Sequence, residues 1–382
     1  MNEKPISITD KNMAPAARIA WLEDELFKAY KAARLGKTSK PQVAEFDKAP
    51  KQELRALAHE IYTHSYVPRP STAFIVNKPV QREIFAAHFR DRVVHHFLFN
   101  QVNSWWDARF SADNYSCRKG KGTLYGIRRL DHHMRSVSES YTRPAWVLKL
   151  DIQGYFMSLE RKKLYACALW GLDRQFPDAG YVYQVCKYLW KTIIFNDPLQ
   201  DVVYNCPRSA WRGLPPSKSL FRQPKGRGIA IGNLTSQLLS NMYLDQLDRF
   251  VTLELGFAHY GRYVDDFFIV SADRSVLIDT TKTIEHYLKR ELGLTLHPHK
   301  RHLQEVNRGV AFLGAVIYPH RIHPGKRLKR NMIAALTSSD LTPETDASYR
   351  GLVKYFRHHQ LLGYIQAHAA PPREQTVLGG VA

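Results

Sequence analysis

The sequence predicts an α+β protein, and three observations carry that prediction. Short apolar strands alternate with longer segments of helical periodicity. Two strand-like runs deliver aspartates: Trp146 to Ile152 carries Asp151, and Tyr260 to Val270 reads as a hairpin turning at Val264-Asp265-Asp266. The 382 residues are 44% apolar, enough to bury a substantial core across two or three subdomains.

Taken in order, residues 14–63 place Ile19, Leu22 and Leu26, then Leu54, Leu57 and Ile61, at helical spacing. This predicts two helices joined by the polar linker GKTSKPQ. Thr72 to Val76 is strand-like and stops at Asn77-Lys78-Pro79. Residues 84–106 read as helical and aromatic-rich, and residues 159–195 as mainly helical. Asn196 to Gly228 is a Pro/Ser/Gly-rich connection, too long for an ordinary loop and expected to be an insertion or binding loop. Asn233 is placed to cap a helix running to about Leu255. A helix near 275–291 and a strand near 311–318 follow. From Arg321 the chain reads as a basic helical region ending in a frayed tail, PPREQTVLGGVA.

Lysine and arginine outnumber the acids 55 to 35, a formal net charge of +20 spread along the chain. That surplus suits a long polyanion, nucleic acid foremost. Cys117, Cys167, Cys186 and Cys206 form no CxxC pair and no zinc-finger spacing, and read as free thiols of a reducing compartment. No apolar run approaches the ~18 residues of a membrane span, and MNEKPISITDKN lacks the apolar core of a secretory signal. The expectation is a cytoplasmic protein with no membrane partner, of unspecified oligomeric state.

Phosphoryl transfer uses two divalent cations about 4 Å apart, one at the attacking hydroxyl and one at the leaving group. Mg²⁺ takes hard oxygen ligands, usually one or two carboxylates plus phosphate oxygens. Aspartates brought from separate segments to one sheet edge meet that need. An Asp-Asp pair in a turn is by itself commonly solvated. Here Tyr263-Val264 and Phe267-Phe268-Ile269-Val270 are too apolar for a surface loop, so the core presents the acids.

RYVDDFFIV (262–270) resembles the YxDD motif of reverse transcriptases, and LKLDIQGYFMSL (148–159) resembles the metal-binding strand that precedes it. They stand in the family's order, separated by IAIGNLTSQLLSNMYLDQLD (229–248). Downstream, LTLHPHK (294–300) and VAFLGAV (310–316) resemble the later palm motif and the primer grip. The resemblance covers roughly residues 70–320. It implies a right-hand polymerase with an N-terminal helical extension over 1–70 and fingers over 71–145. The palm, an antiparallel sheet packed on helices, would span 146–320 with an insertion at 196–228. A short helical thumb and C-terminal tail would occupy 321–382. The implied activity is DNA synthesis from dNTPs on a template RNA and primer, with two Mg²⁺ ions for which Mn²⁺ can substitute.

Residue by residue, the resemblance implies that Asp151 and Asp265 are the main metal ligands, assisted by the Ile152 carbonyl, with Asp266 in a secondary catalytic role. Phe156 falls where the family places an aromatic ring under the incoming sugar, a ring that collides with a ribose 2′-hydroxyl; a core position is the alternative. Lys78 and Arg82 resemble finger residues that neutralise the triphosphate, a task suited to arginine's planar fork. Arg90 and Arg92 face the same site, the template or solvent. Ile231, Gly232 and Gln237 belong to the nucleotide-binding segment. Lys300 resembles the lysine that protonates pyrophosphate, or is a surface lysine. In NYSCRKGKGT (114–123), Arg118, Lys119 and Lys121 stand among glycines that let backbone approach phosphates, or form a solvated loop. Phe312, Leu313 and Gly314 fall in the primer grip. Lys326, Arg327, Lys329 and Arg330 open the thumb and would grip the duplex.

IGNLTSQ (231–237), DRVVHH (91–96) and YSCRKGKGT (115–123) are similar to reverse transcriptases of diversity-generating retroelements. Those copy a template RNA with frequent errors at adenines and work with a small basic accessory protein. Many group II intron and retroviral enzymes begin this segment with Gln, so Ile231 removes an amide contact to the incoming nucleotide. The chain departs in its long insertion and in lacking the Leu-Pro often found before the glycine. Phage-defence and retron enzymes, making templated or repetitive DNA, share much of the palm and stand as one alternative. A catalytically silent RNA-binding protein is another. An RNA-dependent RNA polymerase is a third, disfavoured by Phe156 and by the absence of a Gly-Asp-Asp turn. With about 60 residues after the palm, no maturase, DNA-binding or endonuclease extension is expected.

Overall fold

A computed structural model describes residues 13–77, 80–338, 341–353, 355, 356, 363 and 367. Three helices open the described residues: α1 (Pro15–Arg34), α2 (Pro41–Phe46) and α3 (Pro50–Tyr62). Each begins on a proline, which suits the first helical turn because its missing N–H has no partner there. Pro41 and Pro50 thereby turn the two expected helices into three. Leu22, Leu26, Leu54, Leu57 and Ile61 are buried, as their spacing predicts.

β1 (Thr72–Val76) and β2 (Arg82–Ala86) form an antiparallel pair, followed by α4 (Phe89–Asp107). Residues 84–86 were expected to be helical. Ladder pairing with β1 claims them instead, and the helix starts only after His88. α5 (Thr123–Val137), β3 (Trp146–Ile152), α6 (Tyr155–Ser158), α7 (Arg161–Gln175) and α8 (Tyr181–Phe195) come next. The 196–228 segment then contributes β4 (Val203–Tyr204), which pairs in parallel with β1. The insertion is therefore the third strand of a sheet ordered β2-β1-β4, not a free loop.

α9 (Leu234–Arg249) runs on through a π-turn to Glu254. Asn233 does precede it, but its side chain caps nothing in α9 and accepts from the Ala87 backbone N–H at 3.0 Å. β5 (Tyr260–Tyr263), β6 (Asp266–Ser271), α10 (Arg274–Tyr287) and β7 (Leu296–Glu305) complete the region. The strand expected at 311–318 is a hairpin, β8 (Val310–Phe312) and β9 (Ala315–Tyr318), turning at Leu313-Gly314. Arg321 opens a third strand, β10 (Arg321–Pro324), where helix was expected; α11 (Lys326–Leu336) and α12 (Pro343–Val353) follow. The PPREQTVLGGVA tail lies outside the described residues.

The central sheet is antiparallel with order β5-β6-β3-β7. Side chains alternate faces along a strand. Leu148, Leu150, Phe267 and Ile269 enter the main core shared with α4 and α9, while Val147, Phe268 and Val270 enter a second core shared with α5 and the β8–β9 hairpin. Burial on both faces fixes the strand register, since a one-residue slip would invert every side chain. The α+β expectation, an antiparallel sheet packed on helices, holds.

Candidate active site

Register places the acids. Asp151 stands directly opposite Asp266 in the β3–β6 ladder, and the Ile152 N–H donates to the Asp265 carbonyl at 3.2 Å. The hairpin turn is Val264-Asp265, with Val264 at φ +58°, and Asp266 is already the first residue of β6. Three carboxylates from two distant stretches of chain thus meet at one end of the two central strands.

Burial and mutual repulsion govern their charge. Asp265 is pushed up to about 7, first by burial and then by the Asp151 charge. Burial pushes Asp266 up to about 6, against the opposing pull of Lys149. Each is the behaviour of crowded acids lacking enough counter-charge. Two ammonium groups supply part of it: Lys300 Nζ lies 2.8 Å from Asp151 Oδ2, and Lys149 Nζ lies 3.8 Å from Asp266 Oδ1. Among the described residues, no three acidic, histidine or cysteine side chains close into a preformed metal cage. Hard carboxylate oxygens short of positive charge nevertheless fit Mg²⁺, which commonly takes one or two carboxylates and completes its shell with water and phosphate.

Sequence reasoning gave Arg262 no role, although it opens the RYVDD segment. It is fully buried, holds Asp248 through two hydrogen bonds of 2.6 Å, and donates to the Val264 carbonyl at 3.0 Å. Tyr260 donates to the same Asp248 carboxylate at 2.6 Å. An arginine inside an apolar strand, with an aspartate one helix earlier, was the available signal.

Phe156 is half-buried on α6, edge-on to Tyr155 with ring centroids 5.3 Å apart. The Tyr155 hydroxyl donates to the Ser240 carbonyl at 2.7 Å, tying α6 to α9. Arg82 opens β2, exposed and without an acidic partner among the described residues; Lys78 lies outside them. Ile231 is half-buried, and its carbonyl accepts from the Phe85 N–H at 3.0 Å. Gly232 is exposed at φ +121°, with no room for a Cβ beside Ile84, and Gln237 is exposed one turn into α9. Arg90, by contrast, is buried and paired with Glu60, and Arg92 donates to the Ala87 carbonyl at 2.9 Å. Neither faces the acids.

Two expectations need correction. Arg118 is committed internally, to the Asp107 carboxylate and to the Ser111 and Asp107 carbonyls, so its guanidinium braces the loop rather than offering itself to phosphate. Phe312 is buried against Phe268, edge-on at 5.3 Å, because β8 alternates inward at that position. The exposed positions of that hairpin include Ala311 and Gly314, with Leu313 half-buried between strand and turn. The Gly314 carbonyl accepts from the Gly325 N–H at 2.8 Å, which sets the start of α11 beside it. Lys326, Arg327 and Arg330 are exposed there, with Lys329 half-exposed. Lys119 is exposed; Lys121 donates to the Ala112 carbonyl at 2.7 Å and lies over Tyr125 at the foot of α5.

Residues 78–317 match the family described as reverse transcriptase (RNA-dependent DNA polymerase). No curated protein matches the chain. Solved structures similar to it include apo telomerase from Candida tropicalis, truncated from its C-terminal domain, at 10% identity and TM-score 0.47, covering 70% of this chain and 58% of that one. Telomerase from Candida albicans, in complex with a TWJ fragment of telomeric RNA, is similar at 12% identity and TM-score 0.46, covering 79% of this chain and 54% of that one. The chain thus spans little more than half the length of these structures.

Proposed function

The chain belongs to the reverse transcriptase family, and from that premise we propose that it copies RNA into DNA at the Asp151–Asp265–Asp266 edge. The observation that carries this reading is the pairing of Asp151 with Asp266 across two core strands, with Asp265 at the adjoining turn. In the family's right-hand fold the central sheet is the palm, and we assign 1–70 to the N-terminal extension, 71–145 to fingers, 146–320 to palm and 321–382 to thumb and tail.

When bound, two divalent cations activate the primer hydroxyl and stabilise the departing pyrophosphate. Asp151, Asp265 and the Ile152 carbonyl would hold them, with Asp266 adding negative charge. Lys300, 2.8 Å from Asp151, faces the departing pyrophosphate, and Arg82 meets the triphosphate. Phe156 presents a ring edge where a ribose 2′-hydroxyl would collide. The turn at Leu313-Gly314 and the basic face of α11 hold the duplex through its phosphates, which positions it without reading sequence.

The IGNLTSQ segment supports a finer assignment. The enzyme is error-prone at template adenines, acts in the cytoplasm within a diversity-generating retroelement, and works with a small basic accessory protein. Primer extension on an RNA template tests both levels. Wild type should extend with dNTPs and not with ribonucleotides, Asp265→Ala should not extend, and sequenced products should carry errors concentrated opposite adenine. Extension by Asp265→Ala would reject the site; errors spread evenly over the four template bases would reject the retroelement assignment.

A further inference from the structure

The 196–228 segment is a strap tied down at both ends. Glu83 on β2 is fully buried and accepts from Trp211 Nε1 at 2.6 Å, Ser219 Oγ at 2.8 Å and the Leu220 N–H. Gln81 donates to the Ala210 carbonyl at 3.0 Å. One side chain holds both ends: Arg161 of α7 donates to the Asn196 and Gly228 carbonyls at 2.8 and 2.9 Å. Ala73, Phe85, Met157 and Leu220 form one small core, against which Trp211 and Ile231 pack. The strap is thereby fused to the sheet that carries Arg82 and to the helix that carries Phe156.

Its turn Pro216–Lys218 packs against the stretch of chain that follows Asp151. A Cβ on Gly154 would stand 2.5 Å from the Ser217 carbonyl oxygen, so this turn lies directly on the backbone three residues beyond Asp151. Lys218, next along, is exposed and has no acidic partner among the described residues. A cation held at the rim of the site by a rigid strap, and not neutralised by the protein, fits an anion brought in from solution. The incoming triphosphate is the anion of this reaction.

We propose that Lys218 is a triphosphate-binding residue supplied by the inserted strap. This rests on the polymerase reading above. A lysine serves as a mobile point charge where the ligand's phosphate oxygens change position during the reaction.

The test is steady-state extension of an RNA-templated primer by wild type, Lys218→Ala, Lys218→Glu and Lys218→Arg, with inorganic triphosphate as a competitive inhibitor. A charge-assisted contact predicts that Lys218→Ala raises the KM for dNTP and the inhibition constant for triphosphate about tenfold. Lys218→Glu should raise both further, and Lys218→Arg should restore most of the loss. The Kd for primer–template and the Tm should stay at wild-type values. An unchanged KM, or a loss confined to primer–template affinity, overturns the proposal while leaving the polymerase reading intact. No extension by wild type overturns that reading, and the role of Lys218 with it.

Discussion

Arg262 grips Asp248 with two parallel hydrogen bonds of 2.6 Å while a further guanidinium N–H holds the Val264 carbonyl at 3.0 Å. Both side chains are almost wholly withdrawn from water. Breaking such a pair from one side leaves an uncompensated charge, which costs about 3–5 kcal/mol. Asp248→Asn should therefore lower stability by roughly that amount, read by urea unfolding. Arg262→Lys keeps a charge but cannot reproduce the fork, so activity should fall more than stability does. A lysine variant with wild-type activity would show that the Val264 contact does not set the turn.

Removing the carboxylates proposed to hold the metals should separate chemistry from binding. Chelation, or Asp151→Asn, should abolish extension while the variant remains folded and binds primer–template. That binding should weaken steeply with salt, log Kd changing in proportion to the number of phosphates neutralised. An Asp151→Asn variant that fails to fold would point to a structural role for the acid.

Ile231→Gln introduces the amide found in many relatives. Ile231 packs at the border of the small core of Phe85, Met157 and Leu220, and its carbonyl is already taken by the Phe85 N–H, so only the side chain changes character. Misincorporation opposite adenine should fall in sequenced products, with little change in Tm. An unaltered error spectrum would remove Ile231 from base selection.

Glu83→Ala should release the strap. The substitution strands three donors, on Trp211, Ser219 and Leu220, in a buried setting. Each unsatisfied group costs about 1–3 kcal/mol. Limited proteolysis should then cut within 205–222 well before wild type is cut there. Equal cleavage rates would show that β4 pairing alone secures the segment.

His95 offers a pH prediction. It is buried against Thr235, and burial, aided by the charges of His96 and Arg92, lowers it to about 3. The unfolded chain takes up that proton below about pH 6.5 and the folded chain does not. More protons on the unfolded side means stability lost as pH falls from 6.5 toward 3. Raised acids such as Asp91, at about 6, act in the opposite sense, so the comparison must be against a variant. His95→Gln should lose less stability than wild type between pH 7 and 5 in urea titrations. Identical pH dependence in the two proteins would refute the assignment.

The strands that carry the acids were legible because WVLKLDI, broken only by Lys149, and FFIV after Asp266 are too apolar for a surface, and the β3–β6 register sets Asp151 opposite Asp266. β7 was not legible as a strand: LHPHKRHLQE is polar because half-exposed edge positions do not need apolar side chains, so the alternation was too faint to see. β2 was hidden for a different reason, since Glu83 interrupts its apolar pattern and only the strap's buried donors explain a carboxylate there. The commitment of Arg118 to Asp107 is a tertiary fact, invisible in a loop whose composition suits phosphate equally well.

The strap has a mechanical consequence. Because one segment is both a strand of the sheet bearing Arg82 and the support beneath Gly154 and Met157, that sheet cannot swing as an independent lid. Any closing movement must drag α6, and Phe156 with it. Gripping the triphosphate and sensing the sugar would then be coupled through a single lever, and a loosened hinge anywhere along it should weaken both together.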